Sequence, residues 1–316
     1  MNGLFRRMTA AGAARTLALI LTVFALAGAC PDLFGEEAGN AGGSNAARLR
    51  ARYESLTQQL SHNPFHRQLY LESAETGSSL KGDIYAVVDY PFATVNGALN
   101  DPSQGPANWC DVLILHLNVK YCRPSASAGG GTQLIVNLGR KIEEKLSSTY
   151  RVQFDYRSVA TSTTYFQVDL DADTGPMSTR DYHIVLEAAP VAAGRTFLHL
   201  TYSYGYGMAG RLAMKSYLAT IGSDKVGFTT APDSTSGQPE YIGGVRGLVE
   251  RNTMRYYLAI DAYLQALSSP ADKRLDKRLS NWFDATEQYP RQLHEVDRSE
   301  YMTMKHNEYR RQQTPQ

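Results

Sequence analysis

The chain of 316 residues carries only 3 cysteines and no Cys-x-x-Cys pair, which removes the usual zinc-finger and thiol-redox spacings. It has no His-Glu-x-x-His, so the scattered histidines, His62, His66, His116, His183, His199, His294 and His306, do not present a metalloprotease helix. There is no Gly-x-Ser-x-Gly elbow and no Walker loop. No sign of charge predominates: 32 Lys and Arg oppose 31 Asp and Glu, a formal net charge of +1, with the basic residues spread along the chain. That balance, and the lack of any RNA- or DNA-binding motif, excludes nucleic acid as the expected partner. A long apolar run is also missing. The best, residues 16–27, falls short of the roughly 20 residues that a spanning helix needs.

What is present starts with an address. Arg6, Arg7 and Arg15 precede that apolar run, and Ala27-Gly28-Ala29 follow it, the layout of a secretory signal peptide over residues 1–29. A twin-arginine reading of Arg6-Arg7 lacks the rest of its pattern at Met8-Thr9-Ala10. Leu26-Ala27-Gly28-Ala29-Cys30 resembles the bacterial lipobox, which implies acylation of Cys30 and an anchor in the outer membrane. Ala27 departs from that pattern, where a larger aliphatic residue is usual, and ordinary cleavage after Ala29 leaves a plain secreted chain instead. In an oxidising compartment Cys110 and Cys122 can pair as a structural disulfide, leaving Cys30 over unless lipid occupies it. Residues 30–45, rich in Gly, Ala, Glu and Asn, read as a flexible tether.

Structure is expected from residue 46 onward. Leu49, Tyr53, Leu56 and Leu60 give a helix ended by Asn63-Pro64. Residues 68–73 and 80–90 read as paired strands, Pro91 opens a short helix to Leu99, and residues 108–115 form a second helix leading to a strand at 116–122. Residues 123–131 read as a loop and 132–138 as a strand. The central stretch, 150–206, holds four alternating segments: Val152, Phe154 and Tyr156; then Phe166, Val168 and Leu170; then 181–191; then Leu198, Leu200, Tyr202, Tyr204 and Tyr206. Short gaps between them favour antiparallel neighbours with one wet face. Residues 242–267 carry Val245, Leu248, Val249, Asn252, Tyr256, Ala259, Ile260, Tyr263 and Leu267 at helical spacing, so a long helix with one buried face is predicted to lie across the sheet. Arg246 and Glu250, a turn apart, read as an exposed pair. Residues 268–316 read as charged helical extensions on the outside of the domain or on a partner.

This order, a strand, two short helices, a run of antiparallel strands and a long late helix, resembles the helix-grip fold of the START superfamily of lipid-transfer domains, polyketide cyclases and plant hydrophobic-ligand binders. The resemblance covers residues 80–267, with 207–239 as an insertion, inside an α+β domain at 46–267. It rests on element order, because the superfamily has no diagnostic motif. It implies a cavity between sheet and helix for a hydrophobic small molecule or lipid, with Phe154, Tyr156, Phe166, Tyr202, Tyr204, Asn252, Tyr256 and Tyr263 as candidate lining; ordinary core packing explains the same residues. No cofactor, metal ligand or catalytic residue is assigned. A cyclase- or hydrolase-like reaction would use Tyr202, Tyr204, Asn252 or His199, although alternation turns His199 away from Leu198 and Leu200. An envelope-assembly role for the terminal helices is the third reading. Gly205-Tyr206-Gly207-Met208-Ala209-Gly210 matches a dinucleotide fingerprint letter for letter, but antiparallel hairpins precede it, and a chain reversal explains the glycines better. Asp169, Asp171 and Asp173 open like a calcium loop whose Gly175 comes one place late and whose last acidic position is Arg180.

Overall fold

The computed structural model describes residues 34–219, 224–230 and 240–314. The signal segment and the lipidation candidate Cys30 lie outside the described residues. Helices α1 (Phe34–Ser55) and α2 (Thr57–Ser61) lead into strands β1 (Leu69–Thr76) and β2 (Ser79–Val88). Two short helices, α3 (Phe92–Leu99) and α4 (Gly105–Leu113), precede β3 (Val119–Ala126) and β4 (Thr132–Leu138). Then come β5 (Tyr150–Ser162), β6 (Tyr165–Thr174), β7 (Thr179–Val191) and β8 (Arg195–Tyr206). Helix α5 (Met208–Ala219) stands in the insertion, α6 (Gly244–Gln265) follows, and α7 (Arg274–Glu287), α8 (Pro290–Leu293) and α9 (Arg298–Gln313) complete the chain. The predicted tether carries helix from Phe34, ahead of the expected start at Ala46. Once Ala46 and Leu49 are docked, each further helical residue costs little, since nucleation is the expensive step.

The eight strands form one sheet in the order β1-β2-β8-β7-β6-β5-β4-β3, every pair antiparallel. Consecutive strands other than β2 and β3 pair as hairpins, and those of β1-β2 and of β5 to β8 follow from the short turns read in the sequence. The β3 hairpin is longer than its predicted end at Cys122, because Arg123 and Pro124 still pair with Ile135 and Leu134. Period-two alternation sends Leu198, Leu200, Tyr202, Tyr204 and Tyr206 to the face that meets α6, in one continuous core with Phe154, Phe166, Leu170 and Ile184. This is the helix-grip arrangement, an α+β fold in which a curved antiparallel sheet receives a long helix.

Two expectations change. The opposite face of the sheet is wet only in part: Tyr85, Val87, Tyr165, Ala189 and Phe197 form a second apolar cluster beneath Leu49, Leu56 and Leu60 of the N-terminal helices. Those outward residues are themselves apolar on β2, β6, β7 and β8, so α1 and α2 have a surface to cover, whereas outward residues of β5 such as Gln153 and Asp155 stay exposed. Second, α6 is buried on every side from Val249 to Leu264 apart from a half-buried Asn252, not along one stripe. The charged C-terminal helices form a third layer on its outer side; the Trp282 indole of α7 donates to the Arg255 carbonyl at 3.1 Å. Glu250 is therefore no surface partner of Arg246. It is fully buried and accepts from Ser73 Oγ, from the Phe228 and Thr229 amides and from Thr229 Oγ1, while Arg246 donates to Ser73 Oγ.

The last helix closes an edge. An edge strand presents unpaired amides and carbonyls that invite other chains. On β3 and the turn before it these groups meet α9 and its neighbours: Tyr301 Oη donates to the Leu115 carbonyl at 3.0 Å, Lys305 Nζ to the carbonyls of His116 and Val119 at 2.7 and 2.9 Å, and the Cys122 amide donates to Gln312 Oε1 at 3.2 Å. Two residues on from Cys122, at the next position facing the same way, Pro124 has no amide to offer. Cys110 and Cys122, 5.1 Å apart at Cα, tie α4 to the same strand through a disulfide. Replacing both by alanine is expected to lower the unfolding free energy by about 3 kcal/mol. A urea titration checks it, and an unmoved midpoint would contradict the assignment of a stabilising bridge.

Candidate functional site

The interface between sheet and α6 is the site to which the fold points, and its content is aromatic. Tyr182 of β7 stacks on Tyr204 of β8 at 5.2 Å and 14°, and Tyr202 lies 5.6 Å from Tyr204 and 5.2 Å from Tyr256 of α6. Phe154 of β5 meets Tyr182 edge-on at 6.3 Å. Each of these rings is buried. Burial raises the Tyr202, Tyr204 and Tyr256 phenols above their ordinary range, and raises Tyr156 to about 12 with the Asp101 charge adding to it. They are neutral at every physiological pH, so they serve as apolar surface with hydrogen-bonding tips rather than as bases.

Five of the eight sequence candidates thus meet, or nearly meet, in one cluster: Phe154, Tyr202, Tyr204 and Tyr256 in ring contact, and Asn252 close enough to act electrostatically on the Tyr202 phenol. Tyr156 lies next along β5, its hydroxyl against α4, where a Cβ on Gly105 would come within 2.5 Å of it. Phe166 packs instead on Phe92 of α3 at 5.9 Å. Tyr263 lies farther along α6, under the Arg278 guanidinium at 4.3 Å. Tyr182 was not singled out in the sequence, although it shares the alternation of Ile184 and Leu186; the irregular register between Arg180 and His183 conceals it.

Where the START resemblance implies room, these rings pack on one another. Two concavities among the described residues lie elsewhere. One of about 10 Å3, lined by Leu117, Trp282, Phe283 and Tyr301 among others, sits behind α7 and α9 and is about the size that takes a single water molecule. The other, about 330 Å3, is an open cleft at the surface, bordered by Asp111, Arg123, Pro124 and Tyr309 beside the disulfide.

The buried polar atoms with no hydrogen-bond partner among the described residues include His116 Nε2, beside Tyr256 of α6, and Tyr156 Oη, which lies against α4. The His116 ring stacks on Tyr256 at 4.8 Å, and its Nδ1 accepts the Asn118 amide at 3.1 Å. The proton of the neutral ring therefore sits on Nε2. Burial holds the imidazole well below its ordinary pKa, and the charges of Arg255, Lys305, Lys141 and Lys120 lower it further. Those cations surround it in two groups, each sharing one acid: Lys120 and Lys305 on Glu308 at 2.9 and 2.7 Å, and Lys141 and Arg255 on Glu295 at 2.5 and 2.7 Å. Burial lowers the ammonium groups of Lys305 and Lys141 to about 8 despite these partners. His116 had no sequence signal, since it falls at a helix-to-strand junction with no periodicity around it. Among the described residues no group of three His, Cys, Asp or Glu side chains could hold a metal ion.

His199 lies on the other face of the sheet, turned away from Leu198 and Leu200 as alternation predicts. Its Nδ1 is 2.8 Å from Glu187 Oε2 and its Nε2 2.9 Å from Asp83 Oδ1, with the ring stacked on Tyr85 at 4.3 Å. Arg48 of α1 reaches Glu187 at 2.7 Å, so the trio also fastens the N-terminal helix. His199 cannot act together with Tyr202, Tyr204 or Asn252, because the sheet stands between them.

The class defined by this geometry is a helix-grip α+β domain with an aromatic-filled grip. No protein-family model matches the sequence, and no curated protein matches it. Similar solved structures include human StAR-related lipid transfer protein 5, at 11% identity and a TM-score of 0.31, covering 56% of this chain and 90% of that one. Norcoclaurine synthase from Thalictrum flavum is 10% identical at a TM-score of 0.31, covering 51% and 87%. Ara h 8.0201 is 13% identical at 0.33, covering 63% and 99%. Likenesses of this size carry no argument about ligand or reaction, and the fold stands on its own strand order.

Burial lowers the affinity of His199 for its proton, but the hydrogen bonds and charges of Asp83 and Glu187 outweigh it and the pKa is raised. A raised folded-state pKa gives stability that is complete below the unfolded value of about 6.5 and is lost as pH rises through the folded one. His199→Gln is expected to cost about 3 kcal/mol at pH 6 and to flatten the loss of stability on the alkaline side. Urea midpoints from pH 5 to 9 test this; an unchanged pH dependence in the variant would refute the charged trio.

Proposed function

We propose that the protein is a cell-envelope binding or transfer protein for a hydrophobic small molecule or lipid, held between the sheet and α6. The observation that carries this reading is His116 Nε2–H, buried beside the Tyr256 ring of α6 with no acceptor among the described residues. A buried donor without an acceptor costs about 1–3 kcal/mol, and such a group calls for a reason. An apolar guest with one oxygen acceptor supplies it, taking the His116 proton in a hydrogen bond while its remainder lies against tyrosine faces. The guest enters by displacing rings of the Tyr182, Tyr202 and Tyr204 stack, so the binding form is an opened grip.

The export address and the lipobox-like Cys30 support an envelope location, on the periplasmic side of an outer membrane. Filling of the grip by the protein's own rings favours a second reading, a structural envelope component whose sheet and helix never part. The two separate on ligand uptake.

Native mass spectrometry of protein extracted from the cell envelope, followed by titration with a fluorescent fatty acid, is expected to show an adduct and saturable uptake. His116→Phe keeps the stack on Tyr256 and removes the donor, and is expected to weaken fatty-acid binding at least about tenfold. Absence of both adduct and uptake would overturn the binding reading in favour of the structural one.

A further inference from the structure

Strand β3 loses its regular pairing at one residue. Its register with β4 shifts between Val119 and Tyr121, which makes Lys120 the extra residue of a bulge, a device that re-aims a side chain. The re-aimed side chain is fully buried: its ammonium donates to Glu308 Oε1 at 2.9 Å and meets the Met304 sulfur at 3.3 Å. A thioether is a weak acceptor, so a group with three protons to give has a single oxygen partner among the described residues. Lys305 Nζ, equally buried, donates to the other oxygen of the same carboxylate at 2.7 Å. The charge of Glu144 also reaches Lys120, but Glu144 is paired with Arg140 at 3.3 Å and the charge of Arg311 opposes it.

His116 stands at the meeting point of this charge and the aromatic grip. Lys305 donates to its backbone carbonyl at 2.7 Å, and Lys120, Lys141, Arg255 and Lys305 all act on its buried imidazole. The ring lies on Tyr256, and Tyr256 lies 5.2 Å from Tyr202. Half-buried Asn252, one turn earlier in α6, accepts from Arg255 Nη1 at 3.5 Å. Apolar ring surface and positive charge therefore adjoin at one donor, His116 Nε2–H, which has no acceptor among the described residues. A neutral carbonyl or hydroxyl would satisfy that donor and gain nothing from the cations. A carboxylate satisfies it through a charge-assisted bond, roughly twice as strong, and is drawn in by the surrounding charge, whereas an ammonium head is repelled. Desolvation opposes the burial of any ion, and it is offset best where two ammonium groups already share one carboxylate.

We propose that the guest of the grip is an anionic amphiphile, whose carboxylate accepts the His116 Nε2 proton in the field of Lys120 and Lys305 and whose apolar chain lies along the tyrosine rings. The proposal rests on the hydrophobic-ligand reading and adds the chemistry of the head group. A single donor at the edge of a ring suits a flat, singly charged head better than a tetrahedral, doubly charged one.

The test uses the full chain, its Cys110–Cys122 disulfide left oxidised, loaded with N-phenyl-1-naphthylamine, a neutral dye that brightens in apolar surroundings. Dodecanoate, dodecanol and dodecylamine, matched in chain length and kept below the concentrations at which they aggregate, compete with it at about pH 7.5, where the first is anionic, the second neutral and the third cationic. Dodecanoate is expected to displace the dye at least about tenfold more tightly than dodecanol, and dodecylamine more weakly than either. Lys120→Met keeps the length of the side chain and removes its charge, and is expected to shrink the ratio of dodecanoate to dodecanol affinity at least about threefold. The comparison of the three competitors on the unaltered protein decides the head group even where that variant fails to fold. Dodecanol displacing a bound dye as tightly as dodecanoate would overturn the carboxylate assignment and leave the hydrophobic-ligand reading standing. A preference for dodecanoate that is undiminished in both Lys120→Met and His116→Phe would put the anion elsewhere on the protein and overturn the assignment as well. Failure of the dye and of all three competitors to bind would overturn both readings together.

Discussion

The enclosure of α6 on all sides is the constraint from which the rest of the structure follows. A helix that is buried all round needs two covering layers: here the sheet supplies one and the C-terminal helices the other. Its sequence carries Glu250, Arg251, Arg255 and Asp261 into that enclosure, and buried charges are tolerated only with partners. The partners come from far along the chain: Arg255 meets Glu295, Asp261 meets Arg67, and Glu250 holds the segment at Phe228 and Thr229. Each pairing fixes the position of a separate element against the same helix, which is how one helix organises a chain of this length.

Much of the architecture was legible because it depends on local periodicity. Val152, Phe154 and Tyr156 alternate with polar residues, and a strand is the only regular structure that sorts them. The same alternation placed His199 correctly on the face opposite Leu200. The fate of charged residues was not legible. Arg246 and Glu250 at a helical turn's spacing look like a solvated pair, and only knowledge of what packs beyond the helix shows that Glu250 is enclosed. The filled grip was equally out of reach: the tyrosine spacing says that rings face inward, and whether they touch one another or a guest depends on sheet curvature, which no local pattern encodes. His116 escaped because its importance comes from its neighbours in space.

The two faces of the sheet divide the chemistry. Inside, the phenols are neutral and the one imidazole is held uncharged in a cationic field. Outside, an imidazole of the same intrinsic basicity has its pKa raised between Asp83 and Glu187 beneath α1. Opposite neighbours, acting through a few ångströms of low-dielectric protein, shift two histidines of one domain in opposite directions.

The order in which the chain is made gives α9 a further consequence. Strand β3 leaves the ribosome, or emerges from a translocation pore, long before residues 298–313 exist, so through most of synthesis its outward amides and carbonyls have no covering. Nascent molecules at that stage can adhere to one another, and the hazard ends only when the final turns arrive. A holdase that shields half-made chains would have its greatest effect in that interval.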